Sequence, residues 1–176
     1  MFQCRMCSEN PLAVLFGSGS TKVSDSQERK NKSKKVSKRN EADFRARSEE
    51  ECEAIMKQWE QYVHPRAREF FTKPEELREV LGKLAKGTSA GTDPVLGPEE
   101  QPVYWYGDVT KEGEAAIRMV KPGEPQESIT YVNRVLAFIF ATSDSFEQLM
   151  KLPKEPFKMS CGDQLNVHLA YISMAV

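Results

Sequence analysis

The chain has 176 residues, which suffices for one domain with a hydrophobic core but not for two large domains. Its net charge of −1 conceals an uneven distribution, because residues 22–47 contain ten Lys and Arg but four Asp and Glu, so the remainder is acidic. Four scattered cysteines do not predict a disulfide framework, and an apolar window of about ten residues is too short for a membrane span, so we expect a soluble intracellular protein without a membrane partner.

Residues 1–47 are predicted to form a mostly disordered N-terminal arm. The run RKNKSKKVSKR places seven positive charges within eleven residues and offers no apolar face, so it should be solvated. Such a run is typical of a nuclear-import signal or of a segment that contacts phosphates, although a merely soluble tail is the alternative. The candidate nucleic-acid-binding residues of this run are Arg29, Lys30, Lys32, Lys34, Lys35, Lys38 and Arg39.

Residues 48–176 are predicted to form a single α+β domain that begins with two amphipathic helices. The first runs from about Glu49 until Pro65, which lacks the N–H that a helix interior requires. The second is predicted to begin with a capping box at Thr72 and to end at Gly87. These two helices make the N-terminal half of the domain helical.

A β-hairpin is predicted next along the chain. Val103–Val109 (VYWYGDV) is rich in aromatic and β-branched residues and is a strand candidate. Thr110–Gly113 supplies a turn, the alternation after Ala115 indicates a partner strand, and Pro122–Glu127 closes the unit. The Tyr-Trp-Tyr triplet around Trp105 is able to stack on bases, but half-buried packing within a strand is the alternative.

The most apolar segment follows the hairpin and is predicted to be a buried helix. Tyr131–Phe140 leaves almost no polar face, so other parts of the chain must cover it. A shorter helix is predicted to begin at Asp144, and the chain then ends in a loop or short strand that carries Cys161 and His168. The fold class is therefore α+β: a helical N-terminal half, a β-hairpin, a buried helix and a C-terminal loop or short strand.

The terminal stretch CGDQLNVHLAYI, together with the hairpin, apolar helix and connector before it, resembles the zinc-loop DNA-binding superfamily. This group comprises the Mad-homology DNA-binding domain, nuclear factor I and the His-Me finger homing endonucleases, and the resemblance covers about Val103–Ser173. In those proteins cysteines and histidine hold a structural zinc, and the candidate metal ligands that this loop offers are Cys161, which keeps its place, and His168, which falls where the family usually has asparagine. Asn166 stands where the second cysteine is expected, and Tyr171 stands where the histidine is expected.

These departures leave two alternatives for a cofactor. A closed zinc site needs about four N or S ligands, so either there is no cofactor and packing holds the loop, or one structural zinc is completed by remote ligands such as Cys4 and Cys7. Cys4-x2-Cys7 has half of a zinc-knuckle spacing, but two ordinary thiols are the alternative.

The resemblance also implies that the hairpin meets nucleic acid, because related domains lay a hairpin in the major groove. The candidate contacts on the hairpin are Lys111, Arg118 and Lys121. An arginine there is able to read guanine, whereas lysines bind mostly phosphate. Three glutamates lie alongside and would repel DNA: Glu112, Glu114 and Glu124.

Catalysis is not indicated, because the chain has two histidines and no glycine-rich phosphate loop or nucleophile–base spacing. We therefore expect a nuclear, non-enzymatic protein that binds nucleic acid, DNA more than RNA, and regulates transcription. The alternative is a protein-interaction or regulatory module with a degenerate zinc loop, whose partner is another nuclear protein. No small-molecule substrate is evident in either hypothesis.

Overall fold

Three helices form the N-terminal half of the body in the computed structural model, which describes residues 36–174. After a 3-10 turn at Glu41–Asp43, these helices are α1 (Glu49–Glu60), α2 (Pro65–Phe70) and α3 (Pro74–Lys86). A capping box starts α1, since the Ser48 side chain accepts from Glu51 N and the Glu51 carboxylate accepts from Ser48 N. The capping box predicted at Thr72 is wrong: Lys73 is the N-cap of α3 and makes no side-chain cap, because a lysine ammonium has no acceptor for the N–H groups of the first turn.

The hairpin consists of β1 (Ala116–Val120) and β2 (Glu127–Tyr131), which pair in antiparallel register from Ala116↔Tyr131 to Val120↔Glu127. The predicted pairing was therefore wrong, since Pro122–Glu127 leads from one strand to the other instead of closing the unit. Gly123 lies in this turn with a φ of 82°, a left-handed conformation that favours glycine.

The aromatic segment Val103–Val109 makes three isolated bridges instead of a strand of the hairpin. These bridges are Thr88↔Trp105, Tyr104↔Asn166 and Val109↔Ala115. Most of its backbone groups bond to two different parts of the chain: Trp105 N donates to Leu165 O at 2.8 Å, and Tyr106 N donates to Gly87 O at 2.7 Å. The segment therefore runs between the end of α3 and the C-terminal loop, and it meets β1 only near its end, where Ala116 N donates to Asp108 O at 2.8 Å.

The apolar segment forms α4 (Val132–Phe140), and all nine of its residues are buried. Aromatic rings cover it, since the Phe138 ring centroid lies 5.4 Å from that of Phe70 and 5.7 Å from that of Phe146. Burying a side chain of this size contributes about 1.5–3 kcal/mol to folding, so α4 is the centre of the core. Helix α5 (Ser143–Lys151) follows, with Thr142 and not Asp144 before its first turn, because the Thr142 hydroxyl accepts from Ser145 N.

The C-terminal loop ends in a small second sheet, in which β3 (Lys158–Met159) pairs with β4 (Ile172–Ser173). A 3-10 turn at Leu169–Tyr171 precedes β4. The predicted fold class, α+β with a helical N-terminal half, a hairpin, a buried helix and a terminal loop with a short strand, is confirmed. Within residues 36–174 no helix has both the length and the apolarity needed to cross a membrane.

Candidate functional site

The last part of the basic run lies on the surface of the body. We call residues 36–47 the N-terminal segment; the sequence analysis assigned it to the arm. Ser37 Oγ and Lys38 N both donate to Asp163 Oδ2, at 2.9 and 2.8 Å. Arg39 Nη1 donates to Trp105 O at 2.7 Å, and its guanidinium lies 5.5 Å from the ring centroid of Tyr106. The remaining candidate residues of the run, Arg29, Lys30, Lys32, Lys34 and Lys35, lie outside the described residues.

Arg47 joins the N-terminal segment to the end of α3. Its Nη1 donates to Thr88 O at 2.8 Å, to Thr88 Oγ1 at 2.7 Å and also to Ala85 O, while its Nη2 donates to Thr92 O. Helix C-termini leave carbonyl groups without partners, and a guanidinium satisfies several of them at once. Burial lowers the pKa of Arg47, and the nearby carboxylates of Asp93 and Glu51 only partly oppose that effect. Arg47 therefore holds structure and is not free to meet a ligand.

Beside Tyr106 lies an open groove of about 500 Å³. Three basic side chains, two carboxylates and the Trp105 ring line it, and we call it the basic groove; the charged residues are Lys83, Lys86, Arg118, Asp108 and Glu127. Trp105 borders the groove but is itself buried, and its Nε1 donates to Asp108 O at 2.9 Å. Because the ring is covered, Trp105 packs in the body and is not placed to stack on bases.

Carboxylates lower the positive potential of the basic groove. Arg118 Nε lies 3.1 Å from Asp108 Oδ2, and both side chains are more than half exposed. Lys83 Nζ donates to Arg118 O at 2.8 Å and lies 3.1 Å from Glu79 Oε1 and 3.6 Å from Glu127 Oε1. Exposed ion pairs of this kind contribute at most about 1 kcal/mol and exchange readily, so they do not prevent Arg118 and Lys83 from binding phosphate.

The three basic residues predicted on the hairpin are not brought together. Arg118 lies in β1 on its exposed face and lines the basic groove. Lys111 lies in the turn before β1 and lines a separate cavity with Ser37 and Asp163. Lys121 directly follows β1, and its side chain is buried; burial lowers the pKa of Lys121, and Glu124 only partly opposes this. Of the three, Arg118 is therefore the one placed in the groove.

The C-terminal loop is closed by hydrogen bonds around Asn166. Its Oδ1 accepts from Val103 N at 3.1 Å and from His168 N at 3.2 Å, and its Nδ2 lies 3.4 Å from Cys161 Sγ. His168 is buried; its Nδ1 accepts from Ala170 N at 3.0 Å, and its Nε2 lies 3.0 Å from Gly97 O. Since a carbonyl only accepts, Nε2 carries the proton in this arrangement, and neither ring nitrogen has a free lone pair.

A zinc site does not fit these side chains as they are arranged. His168 uses both nitrogens on the backbone, the Asn166 amide is engaged in the hydrogen bonds of the loop, and Cys161 remains as an exposed thiol. Among residues 36–174 no cluster of three or more His, Cys, Asp or Glu is arranged to hold a metal ion. Cys4 and Cys7, the predicted remote ligands, lie outside the described residues.

Gln164 connects three parts of the C-terminal half and was missed in the sequence. Its Nε2 donates to Glu114 Oε2 at 2.7 Å and to Phe157 O at 3.1 Å, and its Oε1 accepts from Met159 N at 2.9 Å. Burial raises the pKa of Glu114, Glu112 adds to this, and the hydrogen bond from Gln164 opposes it. No local pattern marks such a glutamine, because Glu114 lies 50 residues away and the other two partners are backbone groups of the preceding connector.

Asn133 and Arg134 were likewise not predicted from the sequence. They are buried in the first turn of α4 and hold the connector that follows α5. Asn133 Nδ2 donates to Phe157 O at 2.7 Å, and Arg134 Nη1 donates to Pro153 O and Glu155 O, each at 2.8 Å. The available signal was that two polar residues interrupt an otherwise apolar helix, since buried polar groups require partners.

Comparison with known proteins adds no relative to these observations. No family model, no curated protein and no solved structure matches this chain. The resemblance to the zinc-loop superfamily therefore stays a prediction, and function must be argued from the charges and contacts of the chain itself.

Proposed function

We propose that this protein binds nucleic acid, double-stranded DNA in preference to RNA, as a non-enzymatic nuclear protein. The observation that supports this most is the position of Arg39, the last residue of the basic run. Arg39 contacts Trp105 and Tyr106 at the edge of the basic groove. A run with seven positive charges thus joins the body beside a groove bordered by Lys83, Lys86 and Arg118.

The charge distribution defines how such binding would work. Residues 48–174 contain 14 Lys and Arg against 21 Asp and Glu, so most of the body repels phosphates. The basic run must therefore supply most of the affinity, while the groove orients the duplex. Each phosphate contact changes the slope of log K against log salt by about 0.9, so about six contacts give a slope near −5. The preference for DNA rests on the resemblance, and the nuclear location rests on the likeness of the run to an import signal.

Fluorescence anisotropy with a labelled random-sequence duplex tests the proposal. We expect binding at about 50 mM salt that weakens about 10³-fold at about 200 mM. Replacing Lys30, Lys32, Lys34 and Lys35 by Gln should reduce the magnitude of the slope of log K against log salt by about 3–4. Lys86→Gln should reduce it by about 1. Lys151→Gln is the matched control, because Lys151 is exposed on α5 and does not line the groove. This substitution also removes one positive charge and should leave binding unchanged.

Two results would contradict the proposal. One is no measurable binding to duplex at low salt. The other is an affinity that does not change when the four lysines of the run are neutralised. A labelled RNA hairpin run in parallel checks the nucleic-acid preference, and equal or tighter binding of RNA would overturn that part alone.

A second candidate function is a protein-interaction module, which the exposed face of the hairpin favours. Val120 and Ile129 are 48% and 57% exposed on this two-stranded sheet. Val120 pairs across the strands with Glu127, and Ile129 pairs with Arg118. The two apolar residues therefore each lie opposite a charged residue, one acidic and one basic. A pull-down from nuclear extract treated with nuclease tests it: partners that survive nuclease but are lost with Ile129→Lys favour this function, and loss of all partners on nuclease treatment contradicts it.

A further inference from the structure

A second feature of the N-terminal segment is its single serine, Ser37. Two lysines precede it at positions −3 and −2, and Lys38 and Arg39 follow it. Residues 36–40 belong to neither a helix nor a strand, and Ser37 is half-buried. Kinases act on hydroxyls in extended segments, and basic residues just before the acceptor are what an acidic kinase cleft selects by charge. We propose that Ser37 is a phosphorylation site of a protein kinase that prefers basic residues, and that phosphate there releases the N-terminal segment from the C-terminal loop.

The release follows from what the Ser37 hydroxyl contacts. It donates to Asp163 Oδ2 at 2.9 Å and accepts from Arg39 N at 3.2 Å. Lys38 N donates to the same Asp163 oxygen at 2.8 Å. One carboxylate oxygen therefore holds two consecutive residues of the segment.

Asp163 cannot turn away without disturbing the C-terminal loop. Its other oxygen, Oδ1, accepts from Leu165 N at 3.1 Å, and its carbonyl accepts from Asn166 N at 3.2 Å. Asn166 in turn holds Val103, so the position of the carboxylate is part of the packing of the loop. A new charge at Ser37 would consequently meet a fixed negative charge.

The covalent step has a defined balance. Ser37 Oγ forms a bond to the γ-phosphorus of ATP, the bond from that phosphorus to the oxygen bridging to the β-phosphate breaks, and ADP leaves. The hydroxyl proton passes to the catalytic carboxylate of the kinase. The phosphoserine carries a charge of about −1.5 to −2 and has no hydroxyl proton to donate. It therefore loses its hydrogen bond to Asp163 and is repelled by it at contact distance.

A lysine of the same cavity offers the opposite result. Lys111 lines the cavity that Ser37 and Asp163 also line. If Lys111 captured the phosphate, the segment would be held more firmly instead of being released. The Lys38 amide distinguishes the two results, because its hydrogen bond to Asp163 exists only while the segment stays in place.

The first experiment treats the full chain with a purified basic-directed serine kinase and ATP and maps the phosphate by mass spectrometry. We expect phosphate on Ser37, its loss in Ser37→Ala, and its retention in Ser33→Ala, the matched control that removes the other serine of the run. No phosphate on Ser37 when Ser33 or another serine is modified would overturn the assignment.

The second experiment measures hydrogen exchange of the Lys38 amide with and without phosphate. We expect exchange at least about tenfold faster in the phosphorylated protein, because the amide loses a bond to a charged acceptor. The Val167 amide, which donates to Val103 O at 2.7 Å, is the internal control and should not change. Asp163→Ala should reach the same fast exchange without phosphate, whereas unchanged or slower exchange after phosphorylation would overturn the release. Neither readout depends on the proposed nucleic-acid function.

Discussion

At the scale of single residues, buried polar side chains hold the C-terminal half together. Asn133 lies in the first turn of α4, and its amide bonds to both backbone groups of Phe157: Nδ2 donates to Phe157 O at 2.7 Å, and Oδ1 accepts from Phe157 N at 3.4 Å. Arg134, beside it, lies over the Phe157 ring with its guanidinium 4.8 Å from the ring centroid. Burial lowers the pKa of Arg134. The charged guanidinium is nevertheless the form that donates hydrogen bonds to the backbone carbonyls of the connector. The connector after α5 therefore depends on two side chains of α4.

Asn133→Ala is expected to destabilise the protein by about 2–3 kcal/mol. The substitution leaves Phe157 N buried without its side-chain acceptor and removes one of the two side-chain donors of Phe157 O, the other being Gln164, and the desolvation of such groups is costly. Urea unfolding followed by circular dichroism measures the change. Gln148→Ala is the matched control, because the exposed amide of Gln148 lies on α5, and its loss should cost less than about 0.5 kcal/mol. Equal effects of the two substitutions would contradict the role of Asn133.

At the scale of secondary-structure elements, replacing a glycine has opposite effects on stability in helix α3 and in the hairpin turn. Gly82 lies inside α3, where a Cβ would meet Met56 Sδ at 3.7 Å, an ordinary contact distance. Gly123 lies in the turn between β1 and β2 with a φ of 82°, where a Cβ meets nothing within 4 Å but the backbone conformation disfavours one. Trp105 gives a third case, because a Cβ on Gly107 would lie 2.6 Å from its ring.

The same substitution should therefore have opposite signs at these two positions. Gly82→Ala is expected to stabilise the protein by about 0.5–1 kcal/mol, because alanine restricts the unfolded chain and fits the helix. Gly123→Ala is expected to destabilise it by about 1 kcal/mol or more, because the left-handed conformation is strained for alanine. Thermal unfolding of both variants checks this. A stabilised Gly123→Ala protein would show that the hairpin turn does not hold its positive φ.

At the scale of the whole molecule, the N-terminal segment belongs to the body more than its composition suggests. Its residues contact the C-terminal loop through Ser37, the aromatic segment through Arg39 and the end of α3 through Arg47. Arg45 adds a backbone bond, since Ala90 N donates to Arg45 O at 2.7 Å. The segment thus joins parts of the fold that are far apart in the chain.

Two truncated proteins test this contribution. The free energy of unfolding should be about 2–4 kcal/mol lower for a protein that begins at Ser48 than for one that begins at Val36. The shorter protein loses the hydrogen bonds of Arg47, Arg39 and Ser37. Denaturant unfolding of both proteins measures the difference. In the longer protein, Arg47→Ala should reproduce a large part of the loss. Equal stability of the two truncated proteins would mean that residues 36–47 contribute nothing to the fold.

Helices α1, α3, α4 and α5 could be predicted because their signals are local, whereas the short helix α2 was not predicted. The periodic apolar residues of α1 and α3 and the mostly apolar character of α4 act within a few residues of chain. The fold class followed from the order of these elements. The strand partner of β1 did not follow, because Glu127–Tyr131 has a weak pattern and adjoins the apolar helix directly.

The candidate site could be predicted only in part, again for a physical reason. Charge is visible in the sequence, so the basic run and Arg118 were named as candidates. The sequence does not show whether a side chain is exposed and able to contact a ligand. Lys121 is buried, Trp105 is covered, and His168 bonds to the backbone at Gly97 and Ala170. By itself the sequence determined helices α1, α3, α4 and α5, the buried character of α4 and the uneven charge. Tertiary structure decided which strands pair, which polar groups are buried and where the basic run joins the body, because those depend on hydrogen bonds between residues far apart in the chain.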